Sequence, residues 1–352
     1  MKQGAERKAW LDYVRFFSIF LVIVFHTPPR LPLFDDAVIL NLRVPVFFCI
    51  SGFLYNINKF SGFGHYLRHR SKQILVPYTT FFIVFYALWL LVGRRMVGTE
   101  EQAISVCRPL FEFVFGDPQV VLAPFWYIAC LFTMQMLYFW IERLVPRRWV
   151  FAVCVLIALL VYVAPWGWKF DAFGHTYRVM GFWNLGNAML FLPFYALGNN
   201  CKGWLERLQF SGVSRSALLV ALAVASMTLM VAVAPVEEYN PTLYRLIRIV
   251  AGMMVIPAYM CCAKWLARRY GQRRVIEFVV VSGTVYLGMQ NYLIGIGRLL
   301  LEKFTHPGIM DEQVWLKFVF ALAVMVAIYP VAWLIDRYIP WFLGKSRSHW
   351  KK

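Results

Sequence analysis

Three residues near the start of the chain combine types and spacing that could do chemistry: Asp12, Arg15 and His26, in the stretch LDYVRFFSIFLVIVFH. A neutral imidazole titrates near physiological pH and can take a proton from an attacking hydroxyl, so His26 suits a general base. A guanidinium orients polar or anionic groups and stabilises developing negative charge, and Arg15 could do either. Asp12 precedes Arg15 by three residues, close enough on a helix to pair with it and hold it. His26 follows Arg15 by eleven residues. At about 100° per residue that is three turns plus roughly 20°, with a rise of about 16 Å. The two residues share one helix face, one toward each end. Charged groups in apolar segments usually face a bundle interior or a wet cavity. The bland readings are that Arg15 snorkels to lipid head groups with Asp12 as its partner, and that His26 marks the helix end before TPPR. Asp35 or Asp36, in the segment after His26, could orient the imidazole.

A second group is cationic. Arg68, Arg70 and Lys72 stand together in YLRHRSKQILVPY, and arginine forks bind phosphate oxygens through bidentate, charge-assisted hydrogen bonds. The alternative is the basic bias common to loops on one side of a membrane. Trp126 could stack on a sugar ring or anchor a membrane interface, and Tyr286 could donate a hydrogen bond into a site or simply pack. The other histidines (His65, His69, His175, His306 and His349) show no metal-ligand spacing, so no metal is expected. Ser51 lacks the strand–turn–helix setting of a hydrolase nucleophile.

The elements that must position these groups are membrane helices. Of 352 residues, 61% are hydrophobic and 15% charged, whereas a soluble domain carries about 25% charged residues. The apolar residues gather in ten blocks, at 11–27, 37–56, 74–93, 121–141, 149–165, 183–199, 216–234, 243–263, 275–297 and 314–336. Most approach the roughly 20 residues a helix needs to cross a hydrocarbon core, and none alternates as a barrel strand would. The expected fold is therefore all-α: a polytopic integral membrane bundle of about ten transmembrane helices. With ten spans, 23 of the 36 Lys and Arg residues fall in segments on the side of the N-terminus and nine in loops on the other. That asymmetry places both termini in the cytoplasm. The formal charge of +18 is spread over those segments. It forms no single basic stripe, which excludes nucleic acid as a partner, and anionic membrane lipids account for most of it. No small-residue cleavage site follows the first block, so a removed signal peptide is not expected. The seven cysteines include no CxxC pair and support no disulfide framework. The stretch ISVCRPLFEFVF in the longest outside segment, about 94–120, is amphipathic and suits a membrane surface.

An arginine and a histidine with ten residues between them in the first block, preceded by Asp12, resemble the membrane acyltransferase-3 family. Several later stretches agree in order: VPVFFCISGFLY (44–55), YLRHRSKQILVPY (66–78), PFWYIACLF (124–132), FLPFYALGN (191–199) and SGTVYLGMQNYLIG (282–295). The resemblance covers most of the chain and implies a single transmembrane domain over 1–352 without the soluble hydrolase-like domain some relatives carry. It implies O-acyl transfer, usually acetyl, from cytoplasmic acetyl-CoA or another acyl-CoA to a hydroxyl of a sugar, exopolysaccharide or lipid-linked glycan, in the plasma (bacterial inner) membrane. His26 would then be the base or the carrier of an acyl-histidine intermediate. Arg15 would serve the donor's pantetheine arm or the developing charge, with Asp12 holding it. Arg68, Arg70 and Lys72 would take the CoA phosphates, and Trp126 and Tyr286 would meet the acceptor. Two departures stand out. Family members often carry a second arginine three residues after the first, where this chain has Gln73 and Arg68 or Lys72 could supply the second charge, and a histidine often follows the Tyr-Leu segment, where it has Gly288-Met289-Gln290. The rival classes are a lipid-linked glycan flippase or transporter, which predicts internal repeats or matched broken helices, and a polyprenyl-dependent glycosyltransferase. The pairs Glu100/Glu101 and Glu237/Glu238 serve the latter.

Overall fold

The computed structural model describes residues 8–94, 104–163, 168–210 and 212–346. Lys2 and Arg7, Arg95, Glu100 and Glu101, most of APWGW, and the tail residues Arg347, His349, Lys351 and Lys352 lie outside the described residues. The described chain is almost wholly helical. The principal helices are α1 (Ala9–His26), α2 (Val44–Leu54), α3 (Phe63–Leu88), α4 (Cys107–Phe115), α5 (Trp126–Leu144), α6 (Arg147–Val163), α7 (Leu185–Asn200), α8 (Val213–Val233), α9 (Pro241–Tyr270), α10 (Arg274–Val281), α11 (Gly283–Phe304) and α12 (Leu316–Tyr338). Among the described residues there is one antiparallel hairpin, β1 (Lys169–Ala172) with β2 (His175–Arg178), which pairs Lys169 with Arg178 and Ala172 with His175.

Among the described residues, six helical segments are long and apolar enough to cross a membrane: Ala9–His26, Phe63–Gly93, Gln119–Leu144, Val213–Val233, Leu246–Tyr270 and Leu316–Tyr338. A seventh is the pair α10 and α11, bent by 79° at Ser282–Gly283. The other three predicted blocks are shorter helices: Leu40–Leu54, the 17-residue α6 and the 16-residue α7. The first is short for a local reason. Pro45 has no N–H to donate and its ring crowds the carbonyl of Asn41. The helix therefore breaks at Arg43, whose φ/ψ of −94°/−86° is not helical, and the chain before it winds as a turn at Pro32–Phe34 and a π-turn at Asp35–Ile39.

The chain forms two compact units. The first comprises Met1–Leu54 with Leu197–Ala332. Helix α1 runs through its middle, packed against α2, α9, α10, α11 and the Asp35–Ile39 and Leu40–Leu42 turns. Gly198 of α7 lies so close to α2 that a Cβ there would overlap the Cys49 carbonyl oxygen. At one end of this unit the Lys264 ammonium donates to the carbonyls of Leu205, Glu206 and Leu208, satisfying the end of the Lys202–Arg207 turn.

The second unit comprises Tyr55–Ala196 with Trp333–Lys352. Helix α3 packs against α5 and the Pro340–Leu343 turn, where Thr80 Oγ1 donates to the Phe342 carbonyl at 2.7 Å. Its interior is aromatic: Tyr55 meets Tyr66 and Tyr138 with ring centres 5.9 and 5.3 Å apart, and Tyr138 meets Tyr195 at 4.7 Å. The amphipathic stretch contains α4, whose Leu110 and Val114 face outward. On its inner side the buried Glu112 accepts from Arg108 Nε at 2.8 Å, Val120 N at 2.9 Å and Tyr177 OH at 3.3 Å.

Candidate active site

The polar face of α1 is built by sequence spacing. Arg15, Ser18 and His26 lie within about 80° of one another around the helix. Asp12 and Ser18 are buried, Arg15 is half-buried, and the imidazole of His26 is accessible. Asp12 and Arg15 both have partners. The helix break at Arg43 leaves the Leu42 carbonyl free to accept from Ser18 Oγ at 3.1 Å. Ser18 also meets the Tyr259 hydroxyl at 3.3 Å, and that hydroxyl reaches the Val14 carbonyl.

At His26 the helix ends in a firmly held loop. Thr27 leaves the helix in extended conformation while its Oγ1 caps the Ile23 carbonyl at 2.9 Å. Beyond it, Lys317 Nζ donates to the Pro29 carbonyl and to Asp35 Oδ2, each at 2.8 Å, and Leu31 N donates to the same carboxylate oxygen at 2.8 Å. Asp36 takes Arg30 at 3.1 Å. Asp35 therefore anchors the loop through Lys317, and Asp36 is engaged by Arg30; the expectation that either orients the imidazole directly is corrected on this geometry.

Next to His26 stands a residue from another helical turn. The guanidinium carbon of Arg43 lies 3.5 Å from the centre of the Phe25 ring. That ring meets the His26 imidazole edge-on at 5.4 Å.

Several other buried polar atoms in this unit have no hydrogen-bond partner: both amide atoms of Asn41, Ser282 Oγ, Tyr286 OH, Gln290 Nε2 and Asn291 Oδ1. All belong to segments that pack on α1 or join two that do. Buried polar groups are almost always satisfied in folded proteins, so such a set marks a place for water or a polar ligand.

The cationic group sits in the second unit, at the start of α3. Arg68 and Lys72 are exposed and four residues apart, on one helix face. Arg70 points elsewhere: it lies 5.4 Å over the Tyr66 ring, donates to Gln73 Oε1 at 3.1 Å, and keeps a buried Nε without an acceptor. An orphan guanidinium donor fits an anionic oxygen, and these residues could hold the phosphates of a CoA donor.

A family model described as an acyltransferase domain matches residues 8–337, spanning almost all of both units. The chain belongs to the acyltransferase-3 family. No curated protein and no solved structure matches it.

In this membrane acyltransferase, the structure gathers Asp12, Arg15 and His26 on one helix and buries Tyr286 on α11 of the same unit. Arg68, Arg70, Lys72 and Trp126 belong to the other unit, with Trp126 half-buried at the first turn of α5 and edge-on to Tyr127 at 6.4 Å. Sequence reasoning singled out neither Arg43, which shares the Phe25 ring with His26, nor Lys317, which ties down the loop after it. Their signal was present: each is a cation at the edge of an apolar block, where charge is expensive and functional by default. Gln73, three residues after Arg70, accepts from its guanidinium at 3.1 Å.

Proposed function

We propose that this acyltransferase is an O-acetyltransferase of the bacterial inner membrane. It takes an acyl group from cytoplasmic acyl-CoA and delivers it to a hydroxyl of a sugar, exopolysaccharide or lipid-linked glycan. The observation that carries this reading is His26: an exposed residue at the end of a polar helix face, followed directly by a loop tied down by the Asp35–Lys317 pair. A base that must meet an incoming hydroxyl needs that combination of access and fixed position.

The distance along α1 divides the roles. Arg15 is about 16 Å from His26, too far for both to act on one atom, so Arg15, held by Asp12, serves the donor arm. Arg68, Arg70 and Lys72 take the CoA phosphates on the cytoplasmic side. His26 removes the acceptor proton as the hydroxyl oxygen adds to the thioester carbonyl. The tetrahedral intermediate then collapses, and the CoA thiolate leaves with the proton returned by the imidazolium. Trp126 and Tyr286 are the acceptor contacts in this scheme.

One observation favours the transporter reading: the 79° break between α10 and α11, since broken helices line many transport pathways. The experiment that separates the two supplies purified protein with acyl-labelled acetyl-CoA and a glycan acceptor. Label entering the glycan with stoichiometric release of CoA supports the transferase, whereas glycan movement indifferent to acyl-CoA supports the flippase.

A further inference from the structure

We propose that Arg43 is a catalytic residue of this site, binding the oxyanion that forms when the acceptor hydroxyl adds to the acyl carbonyl. The proposal rests on the acyl-transfer reading above.

Three observations carry it. Arg43 and His26 flank one aromatic ring, with the guanidinium 3.5 Å from the centre of Phe25 and the imidazole edge-on to the same ring at 5.4 Å. Those two distances to one ring centre, 3.5 and 5.4 Å, put the guanidinium within about 9 Å of the base, whereas Arg15 lies about 16 Å away along the helix.

The Arg43 Nε is also buried and has no hydrogen-bond partner. Stacking on Phe25 satisfies the face of the guanidinium, as a cation–π contact does, but leaves this in-plane N–H without an acceptor. Asn41, two residues earlier in the same broken segment and 1% exposed, likewise has neither amide atom bonded.

The surrounding charges leave an anion wanted. The carboxylates within electrostatic reach of Arg43 are Asp35 and Asp36. Lys317 holds the first at 2.8 Å and Arg30 the second at 3.1 Å. Arg30 and Arg248 add further positive charge around Arg43. Buried charges are retained where they are paired or functional, and preorganised donors in a water-poor site are where catalytic electrostatics are strongest. The fold supplies the preorganisation: Pro45 breaks the helix at Arg43, and the Leu42 carbonyl just before it is fastened to Ser18 of α1.

In bond terms, the hydroxyl oxygen forms the new C–O bond and its proton passes to His26. The carbonyl π pair moves onto oxygen, where Arg43 holds it. Reforming the carbonyl breaks the C–S bond, and the thiolate takes the proton.

The test measures kcat and KM for acyl-CoA and for the acceptor in purified wild type, Arg43→Gln, Arg43→Lys and Arg43→Ala, with monodispersity and melting temperature as folding controls. Removing one oxyanion donor predicts a kcat lower by about 10²–10³-fold in Arg43→Gln. Arg43→Lys should be intermediate, and both KM values should stay within about threefold, as expected when an interaction made only in the transition state is removed. Free guanidinium should restore part of the rate to Arg43→Ala. Active wild type with an equally active Arg43→Gln overturns the assignment alone, as does a loss seen entirely in the acceptor KM. Folded wild type without acyl-CoA-dependent transfer overturns the acyl-transfer reading and the assignment with it.

Discussion

Replacing Lys317 with methionine removes one member of a fully buried ion pair that fixes the loop after His26. The ammonium makes two bonds of 2.8 Å, to Asp35 Oδ2 and to the Pro29 carbonyl, and both charged side chains are 0% exposed. In Lys317→Met, Asp35 keeps only Leu31 N as a donor, and its other oxygen already lacks a partner. Leaving one buried charge uncompensated costs about 3–5 kcal/mol, whereas removing both charges together is often close to neutral. Lys317→Met should therefore be strongly destabilised. The Asp35→Asn/Lys317→Met double variant should recover most of the loss, with a coupling of about 2–3 kcal/mol. Unfolding in detergent, followed through a four-member mutant cycle, gives that number. Because the loop begins at Thr27, directly after His26, turnover should also fall in molecules that remain folded. A displacement of about 1 Å can cost about 10²-fold in rate. Additive single effects, or a Lys317→Met variant within about 1 kcal/mol of wild type, would refute the reasoning, because a buried pair must be coupled.

His26→Ala should abolish transfer while leaving membrane insertion and melting temperature unchanged, and wild-type turnover in the purified variant would remove His26 from the mechanism. Neutralising Arg68, Arg70 and Lys72 together should raise the KM for acyl-CoA by about tenfold or more with little change for the acceptor. The orphan Nε predicts that Arg70→Gln alone gives most of that effect, and a dominant Lys72→Gln would contradict it. Gly198→Ala should cost about 1–3 kcal/mol by driving α7 off the Cys49 carbonyl; an undisturbed melting temperature would mean the helices are not so closely packed. Burial raises the Asp117 carboxyl above the ordinary carboxylate range, with Glu112 adding to the effect. The folded state then holds this proton more tightly than the unfolded one, so stability falls as pH rises from the ordinary carboxylate value through the raised one. Asp117→Asn should accordingly raise the melting temperature at neutral pH and lose that advantage in acid, and a shift independent of pH would exclude the carboxyl as its source.

What the sequence made legible was local. The block at 11–27 became α1 at Ala9–His26, because an unbroken apolar run with a charged start and TPPR after it has only one reading. The shared face of Arg15 and His26 followed from helical periodicity alone. The block at 37–56 was harder: it looks continuous, but Pro45 breaks it at Arg43, and the break decides where the arginine goes. The run 275–297 likewise looks like one span, yet it bends at Ser282–Gly283, a pair of the kind at which helices kink. Arg68, Arg70 and Lys72 form one group in sequence, but a step of about 100° per residue turns Arg70 well away from the other two. The Asp35–Lys317 pair was out of reach, since 282 residues separate its members and no local pattern signals a tertiary contact.

The most direct test of the central claim uses sealed proteoliposomes of known orientation. Acyl-labelled acetyl-CoA is supplied on the face nearer the Arg15 end of α1, and a glycan acceptor is confined to the other. The account predicts that label appears on the acceptor while free CoA accumulates only on the donor side, and that His26→Ala stops both. Acceptor label that needs both substrates on one face would contradict transfer across the membrane. Glycan acylation undiminished in His26→Ala would contradict the site itself.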